Sequence, residues 1–201
     1  MINLELPDQM VGLQQLMRAI AKDVFRPISR KYDTREHEVP VELAALDRRK
    51  QKRFPRDKSA DAKPAPGVKA ENKNGAAMAA VVSVEQMCWG DVGLMLSVPG
   101  GGLGNAAIDA VATPEQKERF GACYASMAIT EPGTGSDSAN ITTTARLDGD
   151  EWVLNGEKIF VTAGERCDTV VMWATLNKHK GKAAIKSFVV PKGTKGMEVV
   201  G

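Results

Sequence analysis

Met127-Ala-Ile-Thr-Glu-Pro-Gly-Thr-Gly-Ser-Asp137 marks the point where the chain changes character. Upstream, apolar residues recur at helical spacings; from Ala125 onward they alternate. Within the stretch a short apolar run stops at Pro132, which lacks a backbone donor and resists continuing a strand or helix. Gly133 and Gly135 permit sharp turns and close approach to a bulky neighbour. Thr130, Thr134 and Ser136 supply hydroxyls that donate or accept. Two readings fit: a strand-to-loop junction that faces a ligand, or an ordinary Gly-rich turn between strands.

Working back from there, residues 8–32 predict a helix. Met10, Leu13, Met17, Ile20, Val24 and Ile28 fall at spacings of three and four. Asp8 is a candidate N-cap, and Pro27 should kink or end the helix. Residues 41–50 predict a second helix. Residues 76–98 are apolar on nearly every side, the pattern of a central buried helix, with Gly90 and Gly93 allowing close contact or a break. Gly100-Gly-Gly102 does not extend to G-x-G-x-x-G, because Asn105 stands at the final position and a helix precedes the run. A short helix is expected over 103–112. Thr113-Pro-Glu-Gln116 then begins another, with Thr113 as cap and Gln116 three residues on.

Between the second and third helices the composition shifts. Residues 47–75 hold ten Lys or Arg and four Asp or Glu, a local net of +6, which leaves the rest of the chain at −4. The segment has almost no large apolar residue and cannot repay its ordering entropy, so it reads as a solvated, mobile basic loop. A basic arm for nucleic acid is the competing reading, but Phe54 is its only aromatic. Elsewhere, 43% hydrophobic and 26% charged residues are ordinary for a globular protein. No apolar run is long enough to span a bilayer, and no secretory signal is visible. Cys88, Cys123 and Cys167 have no metal-ligand spacing and suggest no disulfide framework, so a cytoplasmic setting is expected. His37 and His179 lie among charged residues and read as solvated.

Downstream, strands are expected at 125–131, 142–148, 151–155, 157–163, 168–175, 184–191 and 196–200, with turns at Gly149-Asp150 and Asn155-Gly156. Helices first and strands second give an α+β fold: a helical domain over 1–124 and an antiparallel, barrel-like β domain over 125–201. As a strand, 157–163 places Lys158, Phe160 and Thr162 on one face and Ile159 and Val161 on the other. Phe160 beside Thr162 suits a planar heteroaromatic ligand, or is simply an aromatic–Thr pair on an exposed sheet. Trp152 and Trp173 read as packing residues.

Ala128-Ile-Thr-Glu-Pro-Gly-Thr-Gly-Ser-Asp137 resembles the signature of the acyl-CoA dehydrogenase family. Asp150-Glu-Trp-Val-Leu-Asn-Gly-Glu-Lys-Ile-Phe-Val-Thr162 resembles that family's second stretch at the expected distance. Thr113–Phe120 and Val84–Gly93 are similar to the two helices before the signature. The likeness covers residues 76–201 closely and the first helix, through Asp33, more loosely.

The resemblance implies FAD bound without a Rossmann fold. Met127, Ile129, Thr130, Gly135 and Ser136 match the first flavin-binding stretch, with Thr130 bonding the ring and Ser136 also close to the acyl-CoA substrate. Phe160, Val161 and Thr162 match the second, the aromatic against the isoalloxazine and the Thr at its edge. Phe160 departs from the family's usual Trp, and the basic segment departs from its Gly-rich connection. The implied activity is α,β-dehydrogenation of an acyl-CoA thioester in fatty-acid or related acyl catabolism. Electron-transfer flavoprotein is the implied acceptor, and the full-length chain is an implied homo-oligomer. Family members are about twice as long and carry the catalytic Glu in a C-terminal helical bundle. The expectation is therefore a partial chain, its base beyond Gly201, inactive alone and weak for FAD. A noncatalytic binding module and a nucleic-acid-binding relative using the basic loop are the alternatives.

Overall fold

The computed structural model describes residues 5–35, 38–47, 75–100 and 102–200. His37 and residues 48–74, most of the expected basic loop, lie outside the described residues. The chain divides into two compact units, Met1–Pro99 and Gly100–Gly201.

In the first unit the expected long helix forms with a modification that its proline explains. Helix α1 (Asp8–Ile20) passes into a π-helical turn (Ala21–Phe25) and then α2 (Arg26–Asp33). Pro27 cannot donate, and its ring crowds the carbonyl four residues back. Widening the preceding turn, with the Arg26 amide bonded to the Ala21 carbonyl, lets the helix run on into the proline. Asp8 is not the N-cap: Pro7 takes that position and Asp8 opens the first turn. The second expected helix is a 3₁₀ turn over Val41–Leu46. Its Glu42 accepts from Lys31 at 2.7 Å and Tyr32 at 2.6 Å.

Helix α3 (Gly75–Gly90) and α4 (Val92–Ser97) replace the single helix expected over 76–98. The break is at Asp91, whose carboxylate caps α4 by accepting the Leu94 amide at 2.8 Å and also accepts the Ser29 hydroxyl at 2.5 Å. Gly90 has a separate reason: a Cβ there would stand 2.9 Å from the Ala21 Cβ, so the close approach of α3 to the π turn needs glycine. Phe25, Leu43, Met87, Leu94 and Val98 form the core. Full burial of Phe25 and Leu43 contributes about 1.5–3 kcal/mol each. The all-round burial expected of α3 is not found: Val81, Val84 and Met78 are exposed. Trp89, 39% exposed, has the Arg18 guanidinium 3.3 Å from its ring centroid.

The second unit opens with α5 (Leu103–Val111) and α6 (Pro114–Phe120). Thr113 and Gln116 cap α6 reciprocally. Asn105, the residue that spoils the glycine fingerprint, ties α5 to the sheet. Its side chain accepts from the Gly102 and Ala125 amides at 2.9 Å each and donates to the Cys123 carbonyl. The sheet comprises β1 (Ala125–Ala128), β2 (Thr144–Asp148), β3 (Glu151–Asn155), β4 (Thr169–Thr175) and β5 (Ile185–Pro191). It is open and mixed, not antiparallel and barrel-like. β1 runs parallel to β4, β2 meets the end of β4 in parallel at Thr144–Thr175, and β3 and β5 are antiparallel to β2 and β4. The β2–β3 hairpin turns at Gly149-Asp150, with Gly149 at φ 60°. Residues 196–200 form no strand.

Candidate functional site

The signature begins on β1 and leaves the sheet after Ala128. Pro132-Gly133 then makes a tight turn, closed by paired backbone bonds between Glu131 and Thr134 at 2.9 and 3.1 Å. Gly133 and Gly135 carry no positive φ, so the freedom expected of them is not used for the turn. A Cβ at either would meet no atom of the chain within 4 Å, so the loop's outer side is open.

The other half of the site departs from expectation. Residues 156–161 are not a strand. Phe160 sits at φ 56° and Ala163 at φ 58°, left-handed conformations that interrupt any pleat. The alternating faces therefore do not hold. Phe160 turns outward, 88% exposed, while the Lys158 side chain is only 4% exposed. A left-handed Phe costs about 1–2 kcal/mol and needs support on both sides.

That support comes from the first stretch. The Ile159 amide donates to the Thr130 carbonyl at 2.9 Å. The Lys158 ammonium donates to the Ile129 carbonyl at 3.0 Å and to Glu131 Oε1 at 2.8 Å. On the far side of Phe160, the Ser126 hydroxyl donates to the Thr162 carbonyl at 2.8 Å. The two stretches thus lie together, with Thr130, Phe160 and Thr162 along the join. Val161 packs inward on the cluster of Tyr124, Ala128, Cys167 and Val170. Met127 is half-buried in β1, opposite Val171. Gly135 and Ser136 follow the turn and are exposed.

Glu131 is the hub. Oε2 accepts the Thr142 amide and hydroxyl at 2.6 Å each; Oε1 accepts the Thr143 amide at 2.9 Å and hydroxyl at 2.5 Å as well as Lys158. Burial alone would raise its pKa, but the bonds from Lys158, Thr142 and Thr143 outweigh burial and hold the carboxyl well below the usual range. This is a structural acid. Asp137, the other acid of the signature, accepts the Asn140 side-chain amide. Spacing alone did not single out Lys158. Its signal was a lone cation in the apolar run Lys158-Ile-Phe-Val161, matched by a lone anion ending the run before Pro132.

Two further observations bear on a bound group. Thr134 Oγ1 is buried and has no hydrogen-bond partner among the described residues. An open recess of about 390 Å³, its lining polar and apolar in about equal share, is bounded by Ile129, Ser138, Ala139, Trp173, Lys182 and Ile185. An outward aromatic and open space beside two glycines fit a planar group. Among the described residues no group of His, Cys, Asp and Glu could hold a metal ion, and no helix is long and apolar enough to cross a membrane.

Residues 126–201 match the family "Acyl-CoA dehydrogenase, middle domain". A short-chain specific acyl-CoA dehydrogenase of Clostridium acetobutylicum is 36% identical over 126 residues, 60% of this chain and 33% of that protein. A 3-(aryl)acrylate reductase of Clostridium sporogenes is 37% identical over 114 residues, 54% of this chain and 30% of that one. The chain thus spans about a third of the length of these relatives. A solved glutaryl-CoA dehydrogenase from Mycobacterium smegmatis, in complex with FADH2, shares the fold with a TM-score of 0.70 at 22% identity. That match covers 95% of this chain and 47% of the other.

Proposed function

We propose, from the match of residues 126–201 to the acyl-CoA dehydrogenase middle-domain family, that this chain forms the flavin-facing part of an FAD-dependent acyl-CoA dehydrogenase. The observation that carries the reading is the join of the two stretches, which sets the Thr130 and Thr162 positions on either side of an outward-turned Phe160. Phe160 offers a face for the isoalloxazine. Thr130 and Thr162 offer edge hydrogen bonds. A flavin held there would supply the hydride-accepting chemistry of the reaction.

The chain's own contribution is to bind and orient. Ser136, exposed after the turn, is the residue we propose to meet the acyl-CoA. The open recess beside it carries one cation, Lys182, in its lining. Glu131 does not take the α-proton: it is buried, holds five hydrogen bonds and resists protonation. The proposed base is a glutamate supplied from outside residues 1–201, with electron-transfer flavoprotein as the acceptor.

Titrating the purified chain with FAD tests the reading. Saturable quenching of flavin fluorescence is expected, without turnover of acyl-CoA. Thr130→Ala should weaken binding about 5- to 10-fold, the worth of one hydrogen bond. Absence of saturable binding, or an unchanged affinity in Thr130→Ala, sinks the proposal. Turnover by the isolated chain would place the base within it.

A further inference from the structure

We infer that Lys158 is a positioning residue for the cofactor face: its buried ammonium, locked onto Glu131 and the Ile129 carbonyl, holds Phe160 in its outward, left-handed conformation. The inference rests on the flavin reading above but draws on separate observations.

Burying a lysine is costly unless it is paired and hydrogen-bonded, so a lysine 4% exposed in an otherwise apolar run calls for a reason. Packing is not a sufficient one, since a methionine would fill similar space. What the ammonium adds is direction. It donates to two acceptors on neighbouring residues of the first stretch, Ile129 and Glu131. The residue between them, Thr130, is then gripped through its carbonyl by the Ile159 amide. Two consecutive residues of the second stretch therefore engage three consecutive residues of the first. Glu131 is in turn fixed by both Thr142 and Thr143, so the anchor cannot drift.

The consequence falls on Phe160. It follows Ile159 directly, and the carbonyl of Thr162, two residues on, is held by Ser126. Phe160 and Val161 bridge two pinned points. Val161 is drawn into the apolar cluster, while Phe160 lies exposed. Without the Lys158 anchor one end of the bridge is held by the Ile159–Thr130 bond alone, and the backbone can relax from φ 56° to an ordinary strand conformation that lays the ring elsewhere.

The test compares the full chain with Lys158→Met and Lys158→Arg. Site-resolved amide exchange is read at Ile159 and across β4, FAD affinity by titration, and stability by denaturant. In Lys158→Met the Ile159 amide should exchange at least about tenfold faster while Val170 to Met172 keep their protection, and FAD affinity should fall by about tenfold or more. Lys158→Arg, which keeps a cation with several donors, should recover most of both. If Lys158→Met does not fold, Lys158→Gln replaces it with the same expected direction. Unchanged protection at Ile159 overturns the inference. So does a loss of FAD affinity that tracks global stability alone, with β4 loosened in parallel. If the unmodified chain binds no FAD, the flavin reading fails, while the Ile159 exchange still decides whether Lys158 positions the second stretch.

Discussion

Replacing Glu131 by Gln removes one charge and one acceptor oxygen from a carboxylate that serves five donors. The amide must choose an orientation. With its oxygen toward Lys158 and Thr143, its NH₂ faces the Thr142 amide, which cannot reverse its role; the Thr142 hydroxyl can. With the amide flipped, the NH₂ faces both the Thr143 amide and an ammonium, which is worse. The better orientation still leaves a backbone donor unpaired, about 1–3 kcal/mol, and the Lys158 charge uncompensated. Breaking a buried pair by removing one partner costs about 3–5 kcal/mol in all, a large share of the about 5–15 kcal/mol that keeps a domain folded. Guanidinium unfolding followed by tryptophan fluorescence measures it, with Trp152 and Trp173 reporting on the second unit. The pH dependence follows from a depressed folded-state pKa. As pH falls the unfolded chain binds the proton first, so the stabilisation is complete above the ordinary glutamate value of 4.5 and is lost as pH drops below it through the folded value. The difference between native chain and variant should hold constant from neutral pH to about 5 and narrow further down. A loss below about 1 kcal/mol at neutral pH, or a difference that does not narrow in acid, would refute the account of Glu131 as a charged structural hub.

Two other substitutions probe elements outside that hub. Gly156→Ala puts a Cβ 2.5 Å from Thr143 Oγ1 and 2.7 Å from its Cα, at a backbone φ of 155°. The expected loss is about 2 kcal/mol or more, and a denaturation midpoint within error of the native chain would contradict the close approach. Thr113→Ala removes the cap of α6, so the Gln116 amide should lose protection and stability should fall by about 1 kcal/mol; unaltered exchange at Gln116 would show the cap to be idle.

Much of the fold was legible because its signals are local. The capping box at Thr113, the turn at Gly149-Asp150 and the strand cores at 151–155, 169–175 and 185–191 follow from a few adjacent residues. Pro27 announced an irregularity, though its form depended on whether the helix could absorb the missing bond, and a widened turn did so. Strand direction was not legible. Nothing in Ala125–Ala128 says that its partner will be β4 in parallel; that arises from the excursion through β2 and β3 and from the Tyr124–Asp168 clamp, in which each residue's amide donates to the other residue. The apolar pattern of α3 overstated its burial, since the period records which residues are apolar and not which face finds a partner.

Within the site the failure of the strand reading over 157–163 has a definite cause. Alternation assumes that each residue adopts the pleat, and Lys-Ile-Phe-Val-Thr is by propensity a good strand. What overrides propensity is a set of non-local bonds. The ladder that Ile159 would join is replaced by its bond to Thr130, and the register of Lys158 is dictated by a carboxylate 27 residues earlier. A left-handed phenylalanine is an unfavourable choice for the chain considered locally, so no rule built from local preference would place it there. It becomes the favourable choice once Lys158 is buried on one side and Ser126 holds Thr162 on the other. The conformation of Phe160 therefore belongs to Glu131, Lys158 and Ser126 as much as to Phe160 itself. Substituting the aromatic would alter the surface offered at this position, whereas substituting its supports would alter where that surface stands.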